Sequence, residues 1–202
     1  VLIGAVRTPD REKDMSFVLP CRVAYYDHVL IRSSDLDRFG GEDSVSLQAL
    51  LEDTSLAMGI LQAASYGPEL DTLLAQYSDR PNVTTISSSD GMDRLLRMVD
   101  SGRIDFTLAE PSAIAYMAKD LGLEGRLRIL LAEEQLRIAD VGYVVIPRNE
   151  WGEKVARAIT PILTNAILSG ELLDITMRYV PESLAETTRD LFEQSIVRPV
   201  GQ

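Results

Sequence analysis

The sequence predicts an α/β protein built around a mainly parallel sheet. Between residues 59 and 132, short apolar runs alternate with helical patterns. The runs lie at 59–62, 83–86, 105–108 and 128–132, and the helical patterns lie at 68–77, 90–101 and 112–121. Such alternation is typical of βαβ units. With 202 residues, 46% of them hydrophobic, the chain can form one large domain or two smaller lobes.

The charge of the chain excludes some classes of partner. The 20 basic residues are interspersed with 31 acidic ones, which gives a net charge of -11. Because phosphate backbones and anionic membranes need clustered Lys and Arg, we expect no nucleic acid partner. No run of 18 apolar residues occurs, so we expect no membrane-spanning segment, and the first residues lack the basic start of a signal peptide.

The cysteine and histidine content favours structural roles for both residue types. Cys21 and His28 are the single residues of their kinds. One cysteine cannot form an intrachain disulfide, and one histidine needs several carboxylates to build a metal site. We therefore expect no metal and no cofactor.

The first quarter of the chain reads as strands separated by polar connections. Residues 1–6 form a buried-type strand, and 7–13 form a polar turn containing Pro9. Residues 16–19 are a short apolar run closed by Pro20, and 24–32 are rich in aromatic and β-branched residues, as a strand is. Residues 33–55 form a connection, with a short helix at 45–51.

Two helices of the alternating region have recognisable starts. Asp90 is a candidate cap, and an apolar stripe at helical spacing predicts core residues, namely Met92, Leu95, Leu96 and Val99. Gly67 or Ser65 is a candidate cap before Pro68. Free N–H groups at that second start would form an anion site, although an ordinary capped helix is the favoured interpretation.

The last third of the chain predicts a strand followed by helices. Residues 140–147 form the strand, and 150–168 form a long helix in which Pro161 predicts a kink or break. Trp151 is expected to pack at the start of that helix. A second helix at 171–179 and an amphipathic segment at 182–194 follow.

Glu110 is the most informative single residue of the sequence. It follows a buried strand and precedes Pro111, so it lies at the carboxyl edge of the predicted sheet, where ligands bind in open α/β folds. An acid at that depth needs a partner. A ligand ammonium is one candidate, and a neighbouring Arg or the N–H groups of the next helix are the candidates that position alone favours.

Four segments together resemble the type 2 periplasmic solute-binding proteins of family 3, which bind polar amino acids for ABC transporters. They are GAVRTPDREKDMSFVLP from residue 4, GILQAASYGPELDTLL from residue 59, residues 90–121, and VGYVVIPRNEWGEKV onward from residue 141 to about 180. Each motif is weak alone, and their order and spacing carry the resemblance. The family's first strand, first helix and second strand have no counterpart in this sequence.

The resemblance implies ligand contacts from the first part of the chain. Arg11 matches the arginine that pairs with the ligand carboxylate through its planar fork of donors. Gly4 and Val6 match strand-end positions whose backbone lines the binding cleft. Val6 replaces a residue that is usually Ser or Thr, so one hydroxyl is missing.

The resemblance also implies contacts from the middle of the chain. Gln62 matches a position often held by Lys or Gln, and Ser65 and Tyr66 match a turn whose N–H groups help to hold the carboxylate. Glu110 matches the acid that accepts the α-ammonium of the ligand. No residue is nominated as catalytic.

The implied architecture is a two-lobed type 2 binding-protein fold with an incomplete first lobe. Residues 1–33 and 142–202 would form lobe one with the C-terminal helices, and 53–135 would form lobe two. The crossings would lie near 26–34 and 137–143. The implied function is an extracytoplasmic, periplasmic protein that closes around a small polar ligand, an amino acid or small carboxylate, and delivers it to an ABC transporter permease.

Two other functions stay open on the same scaffold. Some relatives are dehydratases, for which Glu110 would be the general acid, but no nucleophile and base pair is visible and we expect no enzyme activity. The third function is a ligand-sensing module that controls a signalling partner.

Overall fold

The computed structural model describes residues 1–62, 64–87, 90–135 and 137–201. The chain divides into two compact units. The first unit comprises Val1–Tyr25 and Ala139–Gln202, and the second unit comprises Tyr26–Ile138. Residues 26–33, which the sequence interpretation places in lobe one, therefore belong to the second unit.

The strands and helices follow the predicted order with several changes of boundary. Within the described residues the strands are β1 (Leu2–Val6), β2 (Met15–Tyr25), β3 (His28–Arg32), β4 (Ser44–Val45), β5 (Met58–Leu61), β6 (Val83–Ile86), β7 (Phe106–Ala109), β8 (Leu127–Ala132) and β9 (Ala139–Pro147). The α-helices are α1 (Pro9–Asp14), α2 (Leu47–Glu52), α3 (Pro68–Leu74), α4 (Gly91–Asp100), α5 (Pro111–Asp120), α6 (Glu150–Leu168), α7 (Glu171–Met177), α8 (Ala185–Phe192) and α9 (Arg198–Val200). Two 3-10 helices lie at Ser33–Phe39 and Glu182–Leu184, and a π-helix lies at Glu193–Val197.

The first unit is built on an antiparallel sheet in the order β1-β9-β2. The predicted turn at 7–13 is instead helix α1, because Thr8 caps it and Pro9 suits its first position. The predicted stop at Pro20 is also wrong, since β2 continues through it to Tyr25. Its register against β9 shifts on both sides of Pro20, and such irregularities accommodate a residue that has no N–H to donate.

The helices of the first unit differ from expectation at two residues. Helix α6 runs without a break past Pro161 to Leu168. Trp151, expected to pack at the start of this helix, is 54% exposed. The amphipathic C-terminal segment packs as predicted through Leu184 and Phe192, which are buried.

The second unit contains a six-stranded mixed sheet in the order β4-β8-β3-β7-β5-β6. Strand β5 is parallel to β6 and β7, and β4 is parallel to β8. Strand β3 is antiparallel to both of its neighbours, β7 and β8. The predicted mainly parallel sheet is therefore interrupted by a strand that precedes the alternating region in the sequence.

The core of the second unit covers both faces of this sheet. One cluster includes Val29, Met58, Leu70, Phe106 and Leu130. On the other face the predicted stripe of α4 is confirmed, because Leu95, Leu96 and Val99 are fully buried and Met92 packs beside them.

No single helix among the described residues is long and apolar enough to cross a membrane. Helices α6 and α7, bent by 71° at their junction, meet the length and composition criteria only when taken together.

Candidate functional site

The sheet of the second unit, with helix α3 after β5, brings three acidic side chains to one edge. Strands β5 and β7 are parallel neighbours, so the turn after β5 and Glu110 after β7 lie at the same edge. Strand β3 runs the other way, and its first residue, His28, pairs with Ala109. Asp27, just before β3, therefore lies beside Glu110. We call Asp27, Asp71 and Glu110 the acidic edge.

Glu110 binds the start of the helix that follows it. Its carboxylate accepts hydrogen bonds from the N–H of Ser112 at 3.2 Å and of Ala113 at 2.9 Å. The Ser112 hydroxyl also lies 2.7 Å and 2.9 Å from the two carboxylate oxygens. These are the helix N–H partners that the position of Glu110 favours, and the carboxylate stays half-buried at the sheet edge.

The turn after β5 already holds a carboxylate from its own chain. Asp71, from the first turns of α3, accepts a hydrogen bond from the N–H of Tyr66 at 2.8 Å and one from the Ser65 hydroxyl at 2.6 Å. The Tyr66 side chain is buried, and its hydroxyl accepts a bond from the N–H of Leu61 at 2.8 Å. The N–H of Tyr66, one of the donors expected to meet a ligand carboxylate, is thus engaged by Asp71, as is the Ser65 hydroxyl.

Gln62 lies at the same edge with an exposed side chain. Its N–H donates to the carbonyl of Ile86 at 2.9 Å, which extends the pairing of β5 with β6 by one residue. The backbone of Gln62 therefore serves the sheet, and its amide group faces solvent.

Asp27 is a candidate site residue that the sequence patterns do not single out. Burial raises the pKa of Asp27 to about 6, and the negative charges of Glu110 and Asp71 act in the same direction. The available signal was an acid inside the aromatic and β-branched segment at 24–32, whose composition predicts one continuous strand. In the structure the chain leaves β2 at Tyr25 and begins β3 at His28.

Two buried polar side chains, His28 and Gln135, lie in the same unit as the acidic edge. His28 is 1% exposed, and its Nδ1 accepts a hydrogen bond from the N–H of Ala132 at 3.2 Å. Burial lowers the pKa of His28 to about 4, although the carbonyl of Ile138 offsets part of that change, so the ring is neutral near pH 7. Gln135 is buried, with its amide close to Gly67, and its Oε1 has no hydrogen-bond partner among the described residues.

The site residues predicted in the first unit lie around the end of β1. Arg11 is exposed, and its guanidinium donates to the carbonyl of Val6 at 2.7 Å. Gly4 has a positive φ of 81°, and a Cβ there would lie 2.6 Å from the side chain of Arg22. Gly4 is therefore required by the bulge in β1 and by the packing of Arg22.

An arginine outside the predicted site is held by aromatic rings in the same unit. The guanidinium of Arg7 lies 5.0 Å from the ring centre of Phe17 and 4.8 Å from that of Tyr143. Its Nε also lies 3.6 Å from the carboxylate of Glu12. Arg7 is therefore engaged within its own unit, whereas Arg11 makes one described side-chain hydrogen bond.

The acidic and sulfur-containing side chains do not form a metal centre in the part of the chain that the structure describes. Nowhere in it do three or more His, Cys, Asp or Glu side chains meet in a way that could hold a metal ion. Cys21 is buried as a free thiol, and burial raises its pKa.

No protein-family model matches the sequence, and no curated protein does. Solved structures do match. An ancestral cationic amino acid solute-binding protein is 13% identical with a TM-score of 0.62, over 88% of this chain and 67% of that one. The probable amino-acid ABC transporter extracellular-binding protein ytmK of Bacillus subtilis is 14% identical with a TM-score of 0.55, over 89% and 70%.

A third match is a histidine kinase sensor domain described as similar to periplasmic binding proteins. It is 13% identical with a TM-score of 0.53, over 88% of this chain and 68% of that one. All three likenesses lie in the backbone fold and extend through both units of the chain. The protein therefore has the α/β fold of the type 2 periplasmic solute-binding proteins and spans 67% to 70% of the length of these three.

Proposed function

We propose that the protein binds a small solute that carries a positively charged amino group, and that the acidic edge recognises this group. The observation that supports the proposal is the position of Asp27 beside Glu110, on paired strands of one sheet. The fold is one that solute-binding proteins use, which makes ligand binding the function to test first.

The acidic edge favours a cation for electrostatic reasons. Asp27, Asp71 and Glu110 are all half-buried, and no ion pair to any of them occurs among the described residues. Like charges at partly desolvated positions repel, and a cation that enters between them removes that repulsion. An ammonium group supplies both the charge and three N–H donors.

Asp27 and Glu110 would divide the work of binding the ammonium. Glu110 is oriented by Ser112 and Ala113, so its carboxylate is fixed in place before a ligand arrives. Asp27 has no described bond to another side chain that would compete with the ligand. A fixed acceptor beside one that no described side chain binds is a suitable arrangement for a small ammonium, because little ordering is needed on binding.

Arg11 is our candidate for binding a ligand carboxylate. Its guanidinium has five N–H donors, and the described structure uses one of them on the Val6 carbonyl. The Ser65–Tyr66 turn is a weaker candidate for this task, since Asp71 already accepts from the Tyr66 N–H and the Ser65 hydroxyl. In this proposal Gly4 and Val6 would line the ligand site with their backbone, and Gln62 would contribute as a residue at the edge of the site.

The partner and location follow from the same proposal. A binding protein of this kind acts outside the cytoplasm and presents its solute to an ABC transporter permease. The likeness to a histidine kinase sensor domain supports a second candidate, in which ligand binding controls a signalling partner. We propose no enzyme activity.

Calorimetric titration and thermal-shift measurements test the proposal on the whole chain. We expect L-arginine or L-glutamine to raise the melting temperature and succinate, which has no ammonium, to leave it unchanged. Arg11→Ala should abolish binding with little change in stability, because the side chain is exposed. Arg157→Ala, at another exposed arginine, is the matched control.

Two results would count against the proposal. If no amino acid or carboxylate changes the melting curve, the proposal that the protein binds such a solute is rejected. The signalling candidate would then have no identified ligand. Unaltered affinity in Arg11→Ala, with binding otherwise intact, would remove only Arg11 from the site.

A further inference from the structure

Helix α4 and the residues that follow it form a groove lined by arginines on the second unit. The groove has a volume of about 470 Å³ and is lined by Arg94, Arg97 and Arg103 together with Asp90, Asp93, Met98 and Ser101. We call these three arginines the arginine groove. Arg94 and Arg97 are one turn apart on the exposed side of α4, opposite the buried Leu95, Leu96 and Val99. Gly102, with a φ of 73°, turns the chain so that Arg103 joins them.

The arginines of the second unit fall into two groups. Six of its nine have described partners within the unit. Arg32, Arg38, Arg126 and Arg128 pair with carboxylates, and Arg80 and Arg137 bind a carbonyl or a tyrosine. Arg94, Arg97 and Arg103 have none among the described residues, and all three line the same groove.

The lack of partners is informative because acids are plentiful nearby. Asp90 and Asp93 line the groove at the i,i+4 spacing that suits pairing with Arg94 and Arg97, yet no ion pair joins them in the described structure. Asp100, at the end of α4, pairs with Arg126 at 2.8 Å instead. Three exposed guanidiniums thus remain available together in a protein whose net charge is -11.

We propose that the arginine groove is a docking site for an acidic segment of a partner protein. Guanidinium groups bind carboxylates through two parallel hydrogen bonds, and three of them along one groove match a segment with several Asp or Glu side chains. The net charge of -11 repels a carboxylate-rich segment in general, whereas in the groove the three arginines outnumber the two described lining aspartates. The site is separate from the acidic edge, and the proposal does not depend on which solute binds there.

Fluorescence anisotropy with a labelled hexaglutamate peptide tests this on the whole chain at low salt. The wild-type protein should bind the peptide, and added salt should weaken binding. Arg94→Glu combined with Arg97→Glu should weaken it at least about tenfold, the effect of losing one charge-assisted pair. Lys119→Glu combined with Arg157→Glu changes the net charge equally outside the groove and should have a much smaller effect.

Each other outcome overturns the proposal. The first is that the wild-type protein does not bind the peptide, and the second is that both double variants lose the same amount of affinity. The third is that inorganic phosphate at the same concentration of charge displaces the peptide, which would indicate a simple anion site. If the charge reversals impair folding, Arg97→Gln combined with Arg103→Gln should reduce affinity in the same direction. Melting curves verify that each variant is folded.

Discussion

Asp27 is a candidate binding residue that no sequence motif marks. It lies in the short break between β2 and β3, and pairing of His28 with Ala109 brings it next to Glu110. Burial and the charges of Glu110 and Asp71 raise the pKa of Asp27 to about 6, so a negative charge is unfavourable there without a cation. The same energy becomes available to a ligand that brings positive charge.

Asp27→Asn should change how stability depends on pH. The folded protein holds the Asp27 proton up to about pH 6, whereas the unfolded chain releases it near pH 4. The free energy of unfolding of the wild type therefore decreases as the pH rises from about 4 to about 6. An asparagine side chain has no such penalty, since it does not ionise. The variant should therefore gain about 2 to 3 kcal/mol relative to wild type between pH 4 and pH 7, at about 1.4 kcal/mol per pKa unit.

Urea unfolding of both proteins at the two pH values measures this difference. His28 acts with the opposite sign, since its neutral folded form loses stability as pH falls from 6.5 towards 4. Because Asp27 is not among the groups that shift the pKa of His28, that contribution is the same in both proteins and cancels in the comparison. A pH-independent difference between wild type and Asp27→Asn would show that Asp27 ionises normally.

At the scale of elements, the start of α5 combines a structural task with the proposed binding task. Glu110 satisfies two N–H groups of α5 that have no partner within the helix. The same carboxylate is our candidate for the ligand ammonium. The cap explains why an acid is tolerated at the end of buried β7 even without a ligand.

Comparing Glu110→Gln with Glu110→Ala separates the two tasks. Both variants remove the charge, so both should weaken ligand binding, but glutamine keeps an acceptor oxygen for the helix. We expect Glu110→Ala to be about 1 kcal/mol less stable than Glu110→Gln in urea unfolding. The same pair of substitutions at Glu124, which is exposed, should differ by less than about 0.5 kcal/mol. Equal stability of the two Glu110 variants would contradict the capping role.

The sequence predicts a strand or helix well where the local hydrophobic pattern determines it. The prediction is poor where a helix cap or a distant partner strand determines the element. The strand Val83–Ile86 and the core stripe of α4 match the sequence interpretation. Helix α1 was missed because six residues give little periodicity, and Thr8 with Pro9 was the better signal. The passage of β2 through Pro20 depends on bulges against β9, which lies far away in the sequence.

At the scale of the whole molecule, the second unit is one continuous insertion into the first. Its ends meet, because the N–H of Tyr26 donates to the carbonyl of Ile138 at 3.2 Å. Its sheet is made entirely of strands from 28 to 132, and its core is its own.

Residues 26–138 expressed alone should therefore fold. We expect a cooperative urea transition by circular dichroism, with slow amide exchange in β3 and β7, since these are buried central strands. A fragment ending at residue 124 lacks β8, the partner of both β3 and β4, and should not fold cooperatively. A non-cooperative transition in the longer fragment would show that the second unit needs the first.

The sequence by itself determined the α/β class, most strands and helices, the position of Glu110 between a buried strand and a helix, and the resemblance to solute-binding proteins. Those features arise from periodicity, capping and short motifs, which neighbouring residues encode. Only the tertiary structure decided that β3 lies antiparallel between β7 and β8, that Asp27 joins Glu110, that Asp71 occupies the Ser65–Tyr66 turn, and that three arginines of the described chain are left together without partners. Pairing between distant strands sets these neighbours, because register depends on the buried faces of both strands and not on either one alone.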